Sequence, residues 1–123
     1  MKRIVFLITT LILLIPTFSF AKEDSLFKNI VVDGGSGHYK VRGDAHLGKD
    51  TFFYSVEDGH TQLIGETKVQ TGKAFGDAYP FVISVSIPKD KLPTNRTLLM
   101  NLYTKSEKEE IQHSHPVVLE VFE

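Results

Sequence analysis

Five histidines are the side chains in this sequence whose ordinary titration falls nearest neutral pH. His113 and His115 stand two apart, so in an extended segment both point the same way and could share a metal ion. His38 and His46 lie an even number of residues apart on one polar face, with Asp44 between them, and His60 follows Glu57-Asp58-Gly59. Completed by a carboxylate, such a set would suit Zn²⁺ or Cu²⁺. The chain has no cysteine and no H-E-x-x-H pair, which favours reading the same residues as solvent-facing histidines on the outer face of a sheet. No metal site is assigned, and the pair His113 and His115 stays open. Asp33, Asp44, Asp50, Glu57 and Asp58 offer oxygen donors for Ca²⁺, but no D-x-[DN]-x-[DN]-G loop gathers them. They read as solvated loop carboxylates.

Covalent chemistry has no local support. Ser, His and Asp all occur, yet there is no G-x-S-x-G elbow. The stretch Asp33-Gly34-Gly35-Ser36-Gly37 lacks the Lys-Ser/Thr ending of a phosphate loop and no helix follows it, so it reads as a flexible turn. Paired-carboxylate hydrolysis needs a deep cleft, which a small sandwich rarely provides. The expectation is a protein that is not an enzyme, with no catalytic residue and no cofactor. Aromatic residues are the better clue. Tyr39, Phe52, Tyr54 and Phe81 fit core positions, whereas Phe53 lies on the face opposite Phe52. Phe75 and Tyr79 sit in or beside a glycine-flanked loop. Exposed, Phe53, Phe75 and Tyr79 would mark a partner surface; the alternative is that Phe75 caps the open end of the fold.

The elements that position these residues are short. His38 to Leu47 alternates five polar with five other residues, the period of a half-buried strand. Leu26 to Val32 precedes it as a first strand. Thr51 to Glu57 places Phe52, Tyr54 and Val56 on one face, and Asp58-Gly59 then supplies a tight turn. Thr61 to Gln70 is less apolar and carries Gly65, which predicts an edge strand or a bulge. Residues 71 to 78 form a loop. Tyr79 to Ile87 turns Phe81, Ile83, Val85 and Ile87 one way before Pro88 ends it, and residues 88 to 95 connect to the next strand. Thr97 to Thr104 points Leu98, Met100 and Leu102 inward, Ser106 to Gln112 reads as a charged loop, and His115 to Phe122 closes the chain. Seven such segments without a helix-period stretch predict an all-β, antiparallel sandwich.

Of the 123 residues, the first 21 read as a cleavable signal peptide. Lys2 and Arg3 give the positive start, Ile4 to Ile15 the apolar run, and Pro16 the break. Ser19 and Ala21 put small residues at the cleavage positions. The run falls short of the ~20 residues a spanning helix needs, so no integral membrane span is expected after cleavage. Residues 22 to 29 read as a short leader and 30 to 123 as one domain. Removing Lys2 and Arg3 from 14 basic residues leaves 12 against 15 acidic ones, a charge of −3, which disfavours nucleic-acid binding. With no cysteine, an exported domain of this size must rely on its core.

These residues resemble the immunoglobulin-like domain of the bacterial spore germination family. The likeness rests on HYKVRGDA, TFFYSVEDG, FVISVSIP, TLLMNLYTKS and the terminal VVLEVF, and runs from about Ile30 to Phe122. It implies an immunoglobulin-like β-sandwich in the bacterial cell envelope, secreted or otherwise extracytoplasmic, linked with sporulation or germination. It implies no catalytic residue. The lipobox cysteine and companion domain often found in that setting are absent from this sequence. The expected function is an exported binding or structural module that contacts a protein or cell-wall component. The alternative is a secreted proteinase inhibitor, since bacterial intracellular proteinase inhibitors are also small cysteine-free sandwiches; residues 92 to 95 (LPTN) would be its reactive segment.

Overall fold

Strict alternation makes Tyr79 to Ser86 a regular strand. In the computed structural model, which describes residues 26–123, its Phe81, Ile83 and Val85 are buried while Val82, Ser84 and Ser86 face outward. The proposed signal peptide and residues 22 to 25 lie outside the described residues. Seven strands follow in order: β1 (Phe27–Gly35), β2 (His38–Ala45), β3 (Thr51–Glu57), β4 (Gln62–Gln70), β5 (Tyr79–Ser86), β6 (Thr97–Lys105) and β7 (Ile111–Val121). They form two antiparallel sheets, β1-β2-β5 and β4-β3-β6-β7. One core joins the sheets. Phe52 of β3 meets Phe27 of β1 edge-on at 5.1 Å and Phe81 of β5 at 5.0 Å, and Leu98, Met100 and Leu102 of β6 lie fully buried beside them. Burying a side chain of this kind stabilises the fold by ~1.5–3 kcal/mol, which is how a domain without disulfides holds together.

Two strands extend beyond their apolar runs. β1 starts at Phe27, within a residue of the first strand read over Leu26 to Val32 and therefore inside residues 22 to 29 read as leader; Phe27 is only 2 % exposed and anchors the aromatic stack. β1 also continues through Asp33-Gly34-Gly35, so the flexible turn expected over residues 33 to 37 shrinks to Ser36-Gly37. Both turn residues have positive φ, 53° and 102°, the requirement of a two-residue type I′ hairpin. Gly34 is needed for another reason. Its φ is 107°, and a Cβ there would lie 2.1 Å from the His38 carbonyl oxygen.

At the other end of the chain, β7 begins at Ile111 rather than His115. Its register slips between Leu102 and Thr104 of the partner strand, and His113 takes φ 52° in the irregular stretch. The bulge hides the strand from a period-two reading. β4 is an edge strand whose pairing with β3 is irregular around Gly65, as Gly65 predicts. The connection over residues 88 to 95 contains one 3₁₀ turn, Lys89–Lys91.

β1 and β7 lie side by side, and side chains tie the β1–β2 hairpin, through Tyr39 of β2 and the Ser36 turn, to Glu120 of β7. The Tyr39 hydroxyl donates to Glu120 Oε1 at 2.5 Å and accepts the Gly37 N–H at 3.1 Å, while the Ser36 N–H donates to the same carboxylate oxygen at 3.0 Å. Burial, then the neighbouring carboxylate, push the Tyr39 hydroxyl up to about 12. The β2–β3, β4–β5 and β6–β7 connections all gather at the end of the sandwich where β1 starts.

Candidate functional site

Phe75 lies in the β4–β5 connection, at the end of the sandwich just described. The Phe75 N–H donates to the Ala78 carbonyl at 2.7 Å and the Ala78 N–H donates back at 3.1 Å, closing a two-residue turn over Gly76-Asp77. Gly76, at φ 67°, takes the first central position of that turn, the type II′ pattern. The turn is therefore a defined element. It holds Phe75 71 % exposed, the largest exposure among the large hydrophobic residues described. The alternative that Phe75 caps the fold fails, because a capping ring would be covered and this one is not; Leu47 and Tyr79 are the half-buried residues that pack against the core nearby in sequence. Asp77 reaches back to His46 just beyond β2, carboxylate to imidazole at 3.6 Å, an attraction that counts when His46 is protonated.

Tyr79 opens β5 opposite Ala45 of β2 and packs half-buried against the core. Phe75 and Tyr79 thus share one short segment of the three-stranded sheet. Phe53 is at the same end but on the outer face of the other sheet. Its ring stacks on Tyr103 at 5.9 Å with 21° between the planes, and Lys105 Nζ stands 5.2 Å from its centroid. The structure does not place Phe53 and Phe75 on one face.

Around Phe53 a network appears that depends on strand register. The Tyr103 hydroxyl donates to Glu66 Oε1 at 2.7 Å, and Lys105 Nζ donates to Glu66 Oε2 at 2.8 Å and pairs with Glu109 at 2.9 Å. Tyr103 is 4 % exposed although it lies on an outer face, because Phe53 stacks over its ring. Burial, then the Glu66 hydrogen bond, push its hydroxyl up to about 12. The Lys105 and Tyr103 hydrogen bonds hold the Glu66 carboxyl below its ordinary range, and Glu66 then Glu109 raise Lys105. Asn101 donates to Glu57 at 2.6 Å on the same face. Sequence reasoning placed Phe53 outward but missed Tyr103, Lys105 and Glu66. The one available signal was that Tyr103 and Lys105 alternate with inward Leu102.

The histidines are dispersed. His38 Nδ1 and Ser86 Oγ share a hydrogen bond at 3.0 Å on the outer face of the three-stranded sheet, His60 is exposed in the β3–β4 turn, and His113 sits in the β7 bulge. His115 pairs with Leu102 in register and lies half-buried, 6.1 Å from the Phe27 ring. The bulge breaks the regular alternation on which a shared His113–His115 site depended. Among the described residues no group of three or more His, Cys, Asp or Glu is arranged to hold a metal ion. The carboxylates have separate partners: Asp33 pairs with Arg42, Asp44 accepts from Asn29 at 2.9 Å, and Asp58 accepts the Thr61 and His60 N–H groups, which lower its titration. Asp33, His38, Lys40, Arg42, Ser84 and Ser86 line a trough of about 520 Å³ on the outer sheet face. In the LPTN segment, Leu92 packs against the core and Pro93 is buried, leaving Thr94 and Asn95 exposed.

These features define a two-sheet all-β domain with a hydrogen-bonded, aromatic-bearing turn at one end. No family model, curated protein or solved structure matches the chain.

Proposed function

We propose that the chain is an exported, non-enzymatic contact module of a bacterial cell envelope, an immunoglobulin-like sandwich that engages a protein or cell-wall component through its Phe75 end. The observation that carries the reading is Phe75 itself, 71 % exposed on a turn closed by two backbone hydrogen bonds. An aromatic ring held outward costs solvation and contributes nothing to the core, while a rigid one loses little entropy when a partner covers it. Strand order supports the immunoglobulin-like part. β1, β2 and β5 correspond to A, B and E of that fold, and β3, β6 and β7 to C, F and G, with β4 beside β3 as a C′ strand. The loop-bearing end then corresponds to the end that variable domains use for recognition. The resemblance to the spore germination domain supports an envelope setting.

A photoreactive amino acid at position 75, activated in the expressing cell, tests the reading. A discrete adduct at position 75, absent when the probe sits at exposed position 60, is the expected result. Equal labelling at both positions, or none, overturns it. N-terminal sequencing of the released protein should begin at Lys22; an intact Met1 would remove the export part.

A further inference from the structure

The two lateral sides of the sandwich are built differently. Between β1 and β7 the gap is tied by Tyr39, Glu120 and Ser36. Between β4 and β5 it is left as a hollow of about 220 Å³, lined by Leu63, Ile64, Ile87 and Pro88 together with Ser86 and Lys91. β4 has joined β3 and not β5, so the outer edge of β5 pairs with no strand among the described residues.

Four strands are edges, and three of them carry several of the devices that stop an edge from pairing with another chain. β1 has a register break after Lys28, with Asn29 at φ 56°, and a charged residue at Asp33. β4 is irregular around Gly65 and bears Glu66 and Lys68. β7 breaks register twice and contains Pro116. β5 carries one such device, Pro80, at the start of its free edge, and nothing further from Phe81 to Ser86. Its register with β2 runs unbroken from Tyr79 to Ser86, it carries no charge, and Val82 is 57 % exposed on it.

We infer that β5 pairs antiparallel with β5 of a second copy, joining two three-stranded sheets into one continuous six-stranded sheet. An identical strand fits because the edge is uncharged, so a two-fold axis brings no like charges together. With that axis at Val82, the exposed Val82 faces its own counterpart. Phe81 lies opposite Ile83 of the other copy, Pro80 opposite Ser84, and Tyr79 opposite Val85, so seven residues of each β5 are engaged. The alternation of the β2 pairing leaves the N–H and C=O of Val82 and Ser84 on the free edge, so Val82 exchanges two hydrogen bonds with its counterpart and the Ser84 N–H donates to the Pro80 carbonyl of the other copy, while Pro80 has no N–H to return. This interface is separate from the Phe75 turn and does not depend on the proposed function.

Sedimentation equilibrium of the protein expressed from the full chain tests it. The unmodified protein should dimerise in a concentration-dependent way, and hydrogen exchange of β5 amides should slow as the dimer forms. Val82→Lys and Val82→Glu, both at an exposed position, should each weaken the dimer by at least about tenfold, because a like charge then stands across the axis. Mixing these two variants should restore a heterodimer, and Phe75→Ala should leave the dimer intact. Three results would each overturn the inference: a monomer at every concentration, a dimer indifferent to both charged variants, or a mixture that stays monomeric. A monomer that retains position-75 crosslinking would remove the dimer and leave the proposed function standing.

Discussion

Replacing Tyr39 with Phe removes one oxygen atom from a position where three groups converge on it or on its acceptor. Tyr39 is 3 % exposed, so water cannot substitute for the lost contacts. The hydrogen bond to the Glu120 carboxylate is charge-assisted, a class that contributes about 1.5–3 kcal/mol. The buried Gly37 N–H loses its acceptor at the same time, which costs about 1–3 kcal/mol. Glu120 keeps the Ser36 N–H, so its own loss is partial. A net destabilisation of about 3 kcal/mol follows, a substantial share of the 5–15 kcal/mol typical of a domain. For a chain of about 100 residues that is a fall in Tm of about 12–24 °C. Urea unfolding followed by far-ultraviolet circular dichroism should show a lower midpoint with an unchanged slope. A double-mutant cycle of Tyr39→Phe with Glu120→Ala should return a coupling of at least about 1 kcal/mol. A loss below about 0.5 kcal/mol, or additive single variants, would show that the tie between the β1–β2 hairpin and β7 is not what closes that side.

Alkaline titration should reveal Tyr39 and Tyr103 directly. With folded values near 12 against an ordinary value of 10, their contribution is intact below pH 10 and is lost as the pH rises through 12, on the order of 2–3 kcal/mol for each; a phenolate absorbance change nine-tenths complete by pH 11 would refute this. Glu66 is depressed, so its contribution is present above its ordinary range near 4.5 and is lost as the pH falls through the lower folded value; Glu66→Gln should flatten that acid limb in a pH series of urea midpoints. Gly34→Ala should cost about 3 kcal/mol or more, or prevent folding, because of the 2.1 Å approach to His38, while Gly72→Ala, with open space around it, should stay within about 0.5 kcal/mol. Phe75→Ala should also leave stability within about 0.5 kcal/mol while abolishing partner contact, read by thermal melting and crosslinking from a neighbouring position.

Strands announced by alternation were legible at once. β3 runs from Thr51 to Glu57 in sequence and structure alike, and β5 and β6 differ by a residue at one end, because each turns its apolar side chains to the core at alternate positions. The misread stretches are those where backbone geometry departs from period two. Gly34 and Gly35 look like a turn but pair within β1, and the bulge at His113 conceals four residues of β7. Within the candidate site, Phe75 and Tyr79 were found from loop glycines, yet the exposure of Phe75 was decided by a turn whose closure no composition reveals. The Phe53–Tyr103–Lys105–Glu66 network required register. Phe53 meets Tyr103 only because β3 pairs with β6, fifty positions apart, and nothing local encodes that pairing.

The tie between Tyr39 and Glu120 also sets an order of events. The two residues stand 81 positions apart, and β7 supplies Val117 and Leu119 to the core. During synthesis, therefore, the sandwich cannot close until its final strand has left the ribosome. Contacts of such long sequence separation form slowly, over milliseconds to seconds in proteins of this topology. Until then the core lacks Val117 and Leu119, and neither the Tyr39 hydroxyl nor the Ser36 N–H has its Glu120 partner.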